Sequence, residues 1–143
     1  MVDRAFLDHA IALLEQIEES GEKRRWCQDY SVYSRNPGQA ELFRELRDFV
    51  DKVYQEGLVI TNYHEVIQQY RLDERKIDDA DPEWLETQPC LCVLACIAWH
   101  FRRDHFCEGA LINQSIASGS MLRLFRRLRS LCPRSSVAET LHN

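Results

Sequence analysis

The stretch from Gln88 to Arg103, QPCLCVLACIAWHFRR, constrains the fold of this chain more than any other part of the sequence. It contains no Asp, Glu, Lys or Arg between Pro89 and Phe101. Thr87 is a suitable N-cap and Pro89 suits a first helical turn, so the stretch predicts a helix rather than a buried strand. Because a helix that is apolar on every side needs other elements around it, we expect a central core helix. The stretch is shorter than the roughly 20 residues that a membrane-spanning helix needs.

The rest of the chain predicts further helices, most of them with one apolar face. With only 5 Gly and 4 Pro, the chain has few of the turns that an all-β fold requires. We therefore predict an all-α, single-domain bundle of about six helices covering residues 1–143, built around the helix at about 88–103. The charged segment Arg71–Ala80 is expected to be exposed, and the tail at about 134–143 to fray. Helices are expected from Asp3 to about Glu19, from about Gln39 to Glu56, from Asn62, from Asp81, from Cys107 to about Ala117 and from Ser120 to Leu131.

The charge of the chain is divided unevenly. The net charge is −5, and residues 1–86 are strongly acidic whereas residues 87–143 are net basic. An acidic protein binds nucleic acids poorly without specificity, although a local basic face can still do so. The first residues, MVDRAFLDHA, do not look like a signal peptide, so we expect a cytoplasmic protein. Its 6 cysteines are then expected to be reduced thiols.

Three spaced segments carry a family resemblance. They are Tyr54–Val59 (YQEGLV), Arg103–Gly109 (RDHFCEG) and Ala117–Leu128 (ASGSMLRLFRRL). Together they resemble the DUF6508 family of small bacterial proteins, in which a run like R-x-x-R-F-x-E/D-G precedes a helix and a later helix ends in R-R-L. The chain differs from that pattern at His105, where the family often has Arg, and at Ser118, where it often has an acid. The resemblance covers roughly residues 40–131 and implies no biochemical activity.

Arginine side chains supply the candidate binding residues. Arg123, Arg126, Arg127 and Arg129 lie on the face of the last helix opposite its apolar stripe, as expected of a solvated face or of a binding surface. Arg103 could line a phosphate or carboxylate pocket. The alternative, which we favour, is an ion pair of Arg102 or Arg103 with Glu108 that fixes the turn between two helices.

Cysteine and histidine side chains suggest two further sites. Cys92, Cys96 and His100 follow one ridge of the central helix, which is chemically compatible with zinc, but the spacing lacks the usual loop knuckle. Ordinary core packing explains buried cysteines more simply. Cys107 lies beside His105 in a segment that holds the residue types of a thiol nucleophile, although no known nucleophile motif is present. No catalytic residue, metal site or cofactor is therefore predicted.

We expect a small cytosolic, non-enzymatic module that binds a protein partner through its acidic N-terminal half and its arginine face. Inhibitors of host defence encoded by mobile elements share this size, acidity and lack of catalytic chemistry, so such an antagonist is a variant of the same hypothesis. The alternative is a nucleic-acid-binding protein resembling a helix-turn-helix, with the arginine-rich last helix facing the phosphates. A thiol or metal enzyme at Cys107 is a weaker alternative. The oligomeric state does not follow from the sequence.

Overall fold

A computed structural model of the chain describes residues 3–20, 37–103 and 110–132. Every regular element in these ranges is an α-helix, which confirms the predicted all-α bundle. The described residues hold eight helices rather than about six, and two of these have only six and four residues. The tail at 134–143 lies outside the described residues. The helices are α1 Arg4–Ser20, α2 Pro37–Gln55, α3 Tyr63–Gln69, α4 Glu74–Asp79, α5 Pro82–Leu85, α6 Cys90–Arg103, α7 Ala110–Ala117 and α8 Ser120–Leu131.

Aspartate side chains begin helices α1 and α5 as the sequence predicts. Asp3 Oδ1 accepts a hydrogen bond from the backbone N–H of Ala5 at 3.0 Å. Asp81 Oδ2 accepts one from the backbone N–H of Trp84 at 3.0 Å, and Pro82 occupies the first turn. These bonds satisfy backbone donors that have no partner within the helix, which defines where each helix starts.

Two helices, α6 and α8, form the centre of the bundle. Helix α6 packs against α3, α4, α7 and α8, and helix α8 packs against α1, α5, α6 and α7. Phe101 of α6 and Phe125 of α8 are 1% and 0% exposed. Phe49 of α2 contacts both rings, with centroid distances of 6.2 Å to Phe101 and 5.5 Å to Phe125. The core therefore depends on two neighbouring helices, and aromatic contacts bring α2 to both.

The predicted central helix is confirmed as α6, with one difference at its first turn. Leu91 is 42% exposed and Pro89 is also exposed, so the expectation of burial on all sides was wrong there. The interior of the helix is hidden from water, and Leu94 and Trp99 are partly buried against the core. The fully buried residues of α6 are Cys92, Val93, Ala95, Cys96, Ile97, Ala98, His100 and Phe101.

The charged segment Arg71–Ala80 also differs from its prediction. It contains α4, whose start is capped by Asp73 through a bond from the backbone N–H of Arg75 at 2.9 Å. Ile77 and Ala80 are 0% exposed and Leu72 is 9% exposed, so the expectation of an exposed segment was wrong for these three residues. One apolar side chain per helical turn is sufficient to anchor a short helix whose other side chains face solvent.

The last carbonyl groups of α4 receive side-chain donors from the central helices. Helix ends leave such carbonyls without partners unless another part of the chain supplies donors. The bonds therefore tie α4 to both α6 and α8. The donors are Nε2 of His100 to Ile77 O at 2.9 Å, Oγ of Ser120 to Asp78 O at 2.8 Å, Nη2 of Arg123 to Asp79 O at 2.8 Å and Nε of Arg123 to Ala80 O at 3.0 Å.

Gly119, which precedes α8, has a backbone that disfavours side chains, and we expect Gly119→Ala to destabilise the protein. Its φ is +87°, and an added Cβ would lie 2.7 Å from Nη1 of Arg123. The left-handed backbone costs an L-residue about 1–2 kcal/mol. Gly57→Ala is the matched control, because Gly57 has φ +74° with nothing within 4 Å of the added Cβ. Urea unfolding should show the larger loss for Gly119→Ala, and an equal loss would show that the Arg123 contact adds nothing to stability.

Candidate functional site

Two arginines of α8 tie the last helix to the first. Arg126 Nη2 lies 2.7 Å from Glu15 Oε2, and Arg129 Nη1 lies 3.2 Å from Asp8 Oδ1. From the other side, Arg4 Nη1 donates to the backbone oxygen of Cys132 at 2.6 Å. Arg126 and Arg129 were candidate binding residues, and the structure places both in contacts within the chain.

The other two arginines of α8 bind backbone carbonyls. Arg123 holds the end of α4, as described above. Arg127 Nη2 donates to Glu86 O and to Gln88 O, both at 3.0 Å, in the segment between α5 and α6. Carbonyls orient a guanidinium without neutralising its charge, and neither arginine has a carboxylate within ion-pair distance among the described residues. Both side chains are partly buried.

Arg103, the remaining described candidate, lies at the end of α6. Its Nη2 is 3.2 Å from Asp78 Oδ1, and its guanidinium lies 4.2 Å from the centre of the Trp99 ring. The expected ion pair with Glu108 falls outside the described residues, and Asp78 is the acid that the structure places beside Arg103. Because both side chains of this pair are substantially exposed, the pair contributes little to stability.

The cysteine and histidine ridge of α6 is packed rather than accessible. Burial, together with the neighbouring Cys92 thiol, raises the pKa of Cys96 to about 12, which keeps Cys96 as an unreactive thiol. Both ring nitrogens of His100 have partners, with Nδ1 2.7 Å from Ser115 Oγ and Nε2 at Ile77 O. Within the described residues, no three His, Cys, Asp or Glu side chains converge as metal ligands. Cys107, the nucleophile of the enzyme alternative, and His105 lie outside those residues.

A groove lies between α1 and α2. Its volume is about 730 Å³. The groove is lined by residues from 3–16, in α1 and just before it, and by residues from 45–56, in the second half of α2 and just after it. The carboxylate side chains lining the groove are Asp3, Glu45, Asp48, Asp51 and Glu56, against one lysine, Lys52, and one histidine, His9. The electrostatic character of the groove is therefore acidic.

The floor of the groove is apolar, and its two aromatic residues pack on Phe125 of α8, which does not itself line the groove. This buried ring of α8 contacts Phe6 of α1, at 6.5 Å between centroids, and Phe49 of α2, at 5.5 Å. Phe6 and Phe49 line the groove, together with the partly buried Leu13. Both outer helices thus pack on the same residue of α8, and an apolar cleft is left between them. A ligand in this groove would meet aromatic carbon below and carboxylates along the edges.

Sequence reasoning identified the acidic half of the chain but not this groove. The first helix was expected to have one apolar face, and nothing in the sequence showed that Leu13 would be only partly buried beside a groove. Asp48 and Asp51 lie on the polar face of α2, and such residues usually indicate no more than a solvated face. Carboxylates on two helices indicate a shared groove only when the spacing of the helices is known.

Comparison with known proteins gives one result about the family. The family of unknown function DUF6508 matches residues 4–134, which include every described helix. The chain belongs to the DUF6508 family. No curated protein and no solved structure matches this DUF6508 protein. None of the helices in its described ranges has the length and apolar character needed to cross a bilayer.

Proposed function

We propose that this DUF6508 protein is a small cytosolic, non-enzymatic interaction module whose acidic groove binds a basic segment of a partner protein. The observation that carries the proposal is the groove between α1 and α2, with its apolar floor and carboxylate rim. The partner segment would place apolar side chains on Phe6 and Phe49 and lysines or arginines beside the carboxylates. An amphipathic helix presents such a pattern and fits a cleft between two helices.

The two parts of the groove have different physical roles in this proposal. Burial of apolar side chains on the floor would supply most of the affinity. The carboxylates would attract a basic segment over several ångströms and reject acidic ones, which favours fast and selective association.

Reduced thiols at Cys90, Cys92, Cys96 and Cys132 fit a reducing compartment. An antagonist of a host-defence protein could act in this way, by covering a basic surface that its target needs.

The contacts of α8 give less support to nucleic-acid binding. A phosphate backbone needs several accessible positive charges along one surface. Arg126 and Arg129 are paired with carboxylates of α1, and Arg123 and Arg127 are directed at backbone carbonyls. The face of α8 that the nucleic-acid hypothesis uses thus contributes mainly to holding the bundle together.

A selection from a random peptide library against the immobilised protein tests the docking proposal. Enriched peptides should combine Leu, Phe or other large apolar residues with Lys or Arg at helical spacing. Their binding should weaken with rising salt, since attraction between exposed charges is screened. The double variant Asp48→Lys, Asp51→Lys should bind the same peptides about tenfold more weakly or worse, because it reverses the charge of the rim.

The matched control is Glu65→Lys, Glu83→Lys, which makes the same change in net charge at exposed acids outside the groove. This control should leave peptide binding within a factor of about two, because charges at positions 65 and 83 lie outside the groove and their effect on the peptide is screened by salt. Enrichment of peptides without basic residues would contradict the proposal. Equal loss of binding in both double variants would do so as well.

A further inference from the structure

A second cavity, of about 450 Å³, lies between α5 and α8. Its α8 side is strongly basic, because residues three and four positions apart share one face of a helix. Its other side combines apolar surface with a single carboxylate. The lining side chains that matter here are Arg123, Arg126 and Arg127 on α8, and Pro82, Leu85 and Glu86 across from them.

Arg123 and Arg127 are held in place before any ligand arrives. Each donates to two backbone carbonyls, which fix the plane of the guanidinium and leave its positive charge in place. An arginine has five N–H donors, so both retain donors for another acceptor. Nη1 of Arg123 makes no hydrogen bond within the described part of the chain, and Nη1 of Arg127 makes only a long one, 3.4 Å, to Ser130 Oγ.

We propose that this cavity binds a small phosphate-bearing molecule, with Arg123 and Arg127 as the fixed donors. Guanidinium groups match the oxygens of a phosphate better than any other side chain, and prior orientation lowers the entropic cost of binding. Arg126 lies at the rim, but its charge is paired with Glu15, so the proposal does not depend on it. The volume lies within the range of small-molecule sites, and Pro82 and Leu85 would contact the organic part of the ligand. This site is separate from the docking groove and does not depend on it.

One phosphate group suits this site better than a nucleic-acid backbone. The next arginine along α8, Arg129, is directed at Asp8 of α1 and does not line the cavity. The arginines that line the cavity span only Arg123 to Arg127, about one helical turn, which is too short to follow the several phosphates that a nucleic-acid-binding surface neutralises.

Calorimetric titration with inorganic phosphate tests the proposal, with sodium chloride at matched ionic strength as the blank. The protein should bind phosphate, and Arg127→Gln should weaken this binding about tenfold, as expected on loss of a charged hydrogen-bond donor. Arg129→Gln is the matched control, because it removes the same charge from the same helix outside the cavity. It should leave phosphate binding within about twofold.

A second variant keeps the test valid if Arg127→Gln disturbs the fold. Glu86→Gln removes the one carboxylate of the cavity while its backbone carbonyl still accepts from Arg127. It should tighten phosphate binding about threefold, a gain that loss of structure cannot produce. Absence of phosphate binding in both the unaltered protein and Glu86→Gln would overturn the proposal. Equal weakening of phosphate binding by Arg127→Gln and Arg129→Gln would overturn the proposal in favour of a general charge effect. Tighter binding of a short oligonucleotide than of phosphate, abolished by Arg129→Gln, would overturn it in favour of nucleic-acid binding.

Discussion

Replacing Phe125 with alanine is expected to lower the free energy of unfolding by about 4 kcal/mol, as typical for a buried aromatic residue. The ring is 0% exposed and contacts Phe6 of α1 and Phe49 of α2. Its removal would leave a cavity beneath both outer helices at once. Because small domains are stable by only about 5–15 kcal/mol, a loss of this size should be evident in urea unfolding followed by circular dichroism.

Leu91→Ala provides the comparison for Phe125→Ala. Leu91 is 42% exposed, so its truncation should change the free energy of unfolding by no more than about 0.5 kcal/mol. Phe125→Leu should fall between the two variants, since it keeps part of the apolar volume. If Phe125→Ala proved no more harmful than Leu91→Ala, the arrangement of α1 and α2 around this ring would be incorrect, and the groove floor with it.

Acidification is expected to destabilise the protein through His100. Burial is the main cause that lowers the pKa of this imidazole to about 4 from its ordinary 6.5, and Arg103 lowers the pKa further. The Ile77 carbonyl and Asp78 act in the opposite direction but do not compensate. Since Ile77 O can only accept, Nε2 carries the hydrogen in the neutral ring and Nδ1 accepts from the Ser115 hydroxyl.

The sign of the effect follows from the two pKa values. The unfolded chain protonates this histidine as the pH falls through about 6.5, whereas the folded protein does so only near pH 4. The stability that neutral His100 contributes is therefore complete above pH 6.5 and lost progressively between pH 6.5 and pH 4. The full loss is about 3 kcal/mol at one pKa unit per 1.36 kcal/mol.

The variant His100→Gln isolates this contribution, because it retains a donor and an acceptor but does not titrate. Carboxylates affect both proteins alike, so the difference in their free energies of unfolding reports on His100. Relative to the variant, the unaltered protein should lose stability between pH 6.5 and pH 4. A constant difference over that range, or an imidazole that titrates near its ordinary pKa by NMR, would refute the prediction.

Local sequence patterns were sufficient to predict most helices of this fold, but not α4. The uncharged run at 89–101 indicated α6, and Gly119 with Pro133 bracketed α8 at Ser120–Leu131, which agrees with the structure. Such signals act over a few residues, so one sequence contains them. Helix α4 and its buried Ile77 were missed because Leu72, Ile77 and Ala80 are scattered among seven charged residues in Arg71–Ala80 and give no clear helical period.

The candidate sites depend on contacts between residues that are distant in the sequence. The partners of His100, Ser115 and Ile77, are 15 and 23 residues away. Arg126 and Glu15 are 111 residues apart, so the sequence could not distinguish an arginine in an ion pair from one on a binding surface. The groove likewise needs the spacing of α1 and α2, which Phe125 sets from a third helix.

The contact of the first helix with the last has a consequence for folding during synthesis on the ribosome. Asp8 and Arg129 are 121 residues apart, and α1 packs against α8. At about 5–20 residues per second, α1 leaves the ribosome roughly 6–24 s before its partner helix exists. During that interval the side of α1 that packs on α8 has no native partner, so this apolar surface stays exposed until the end of synthesis.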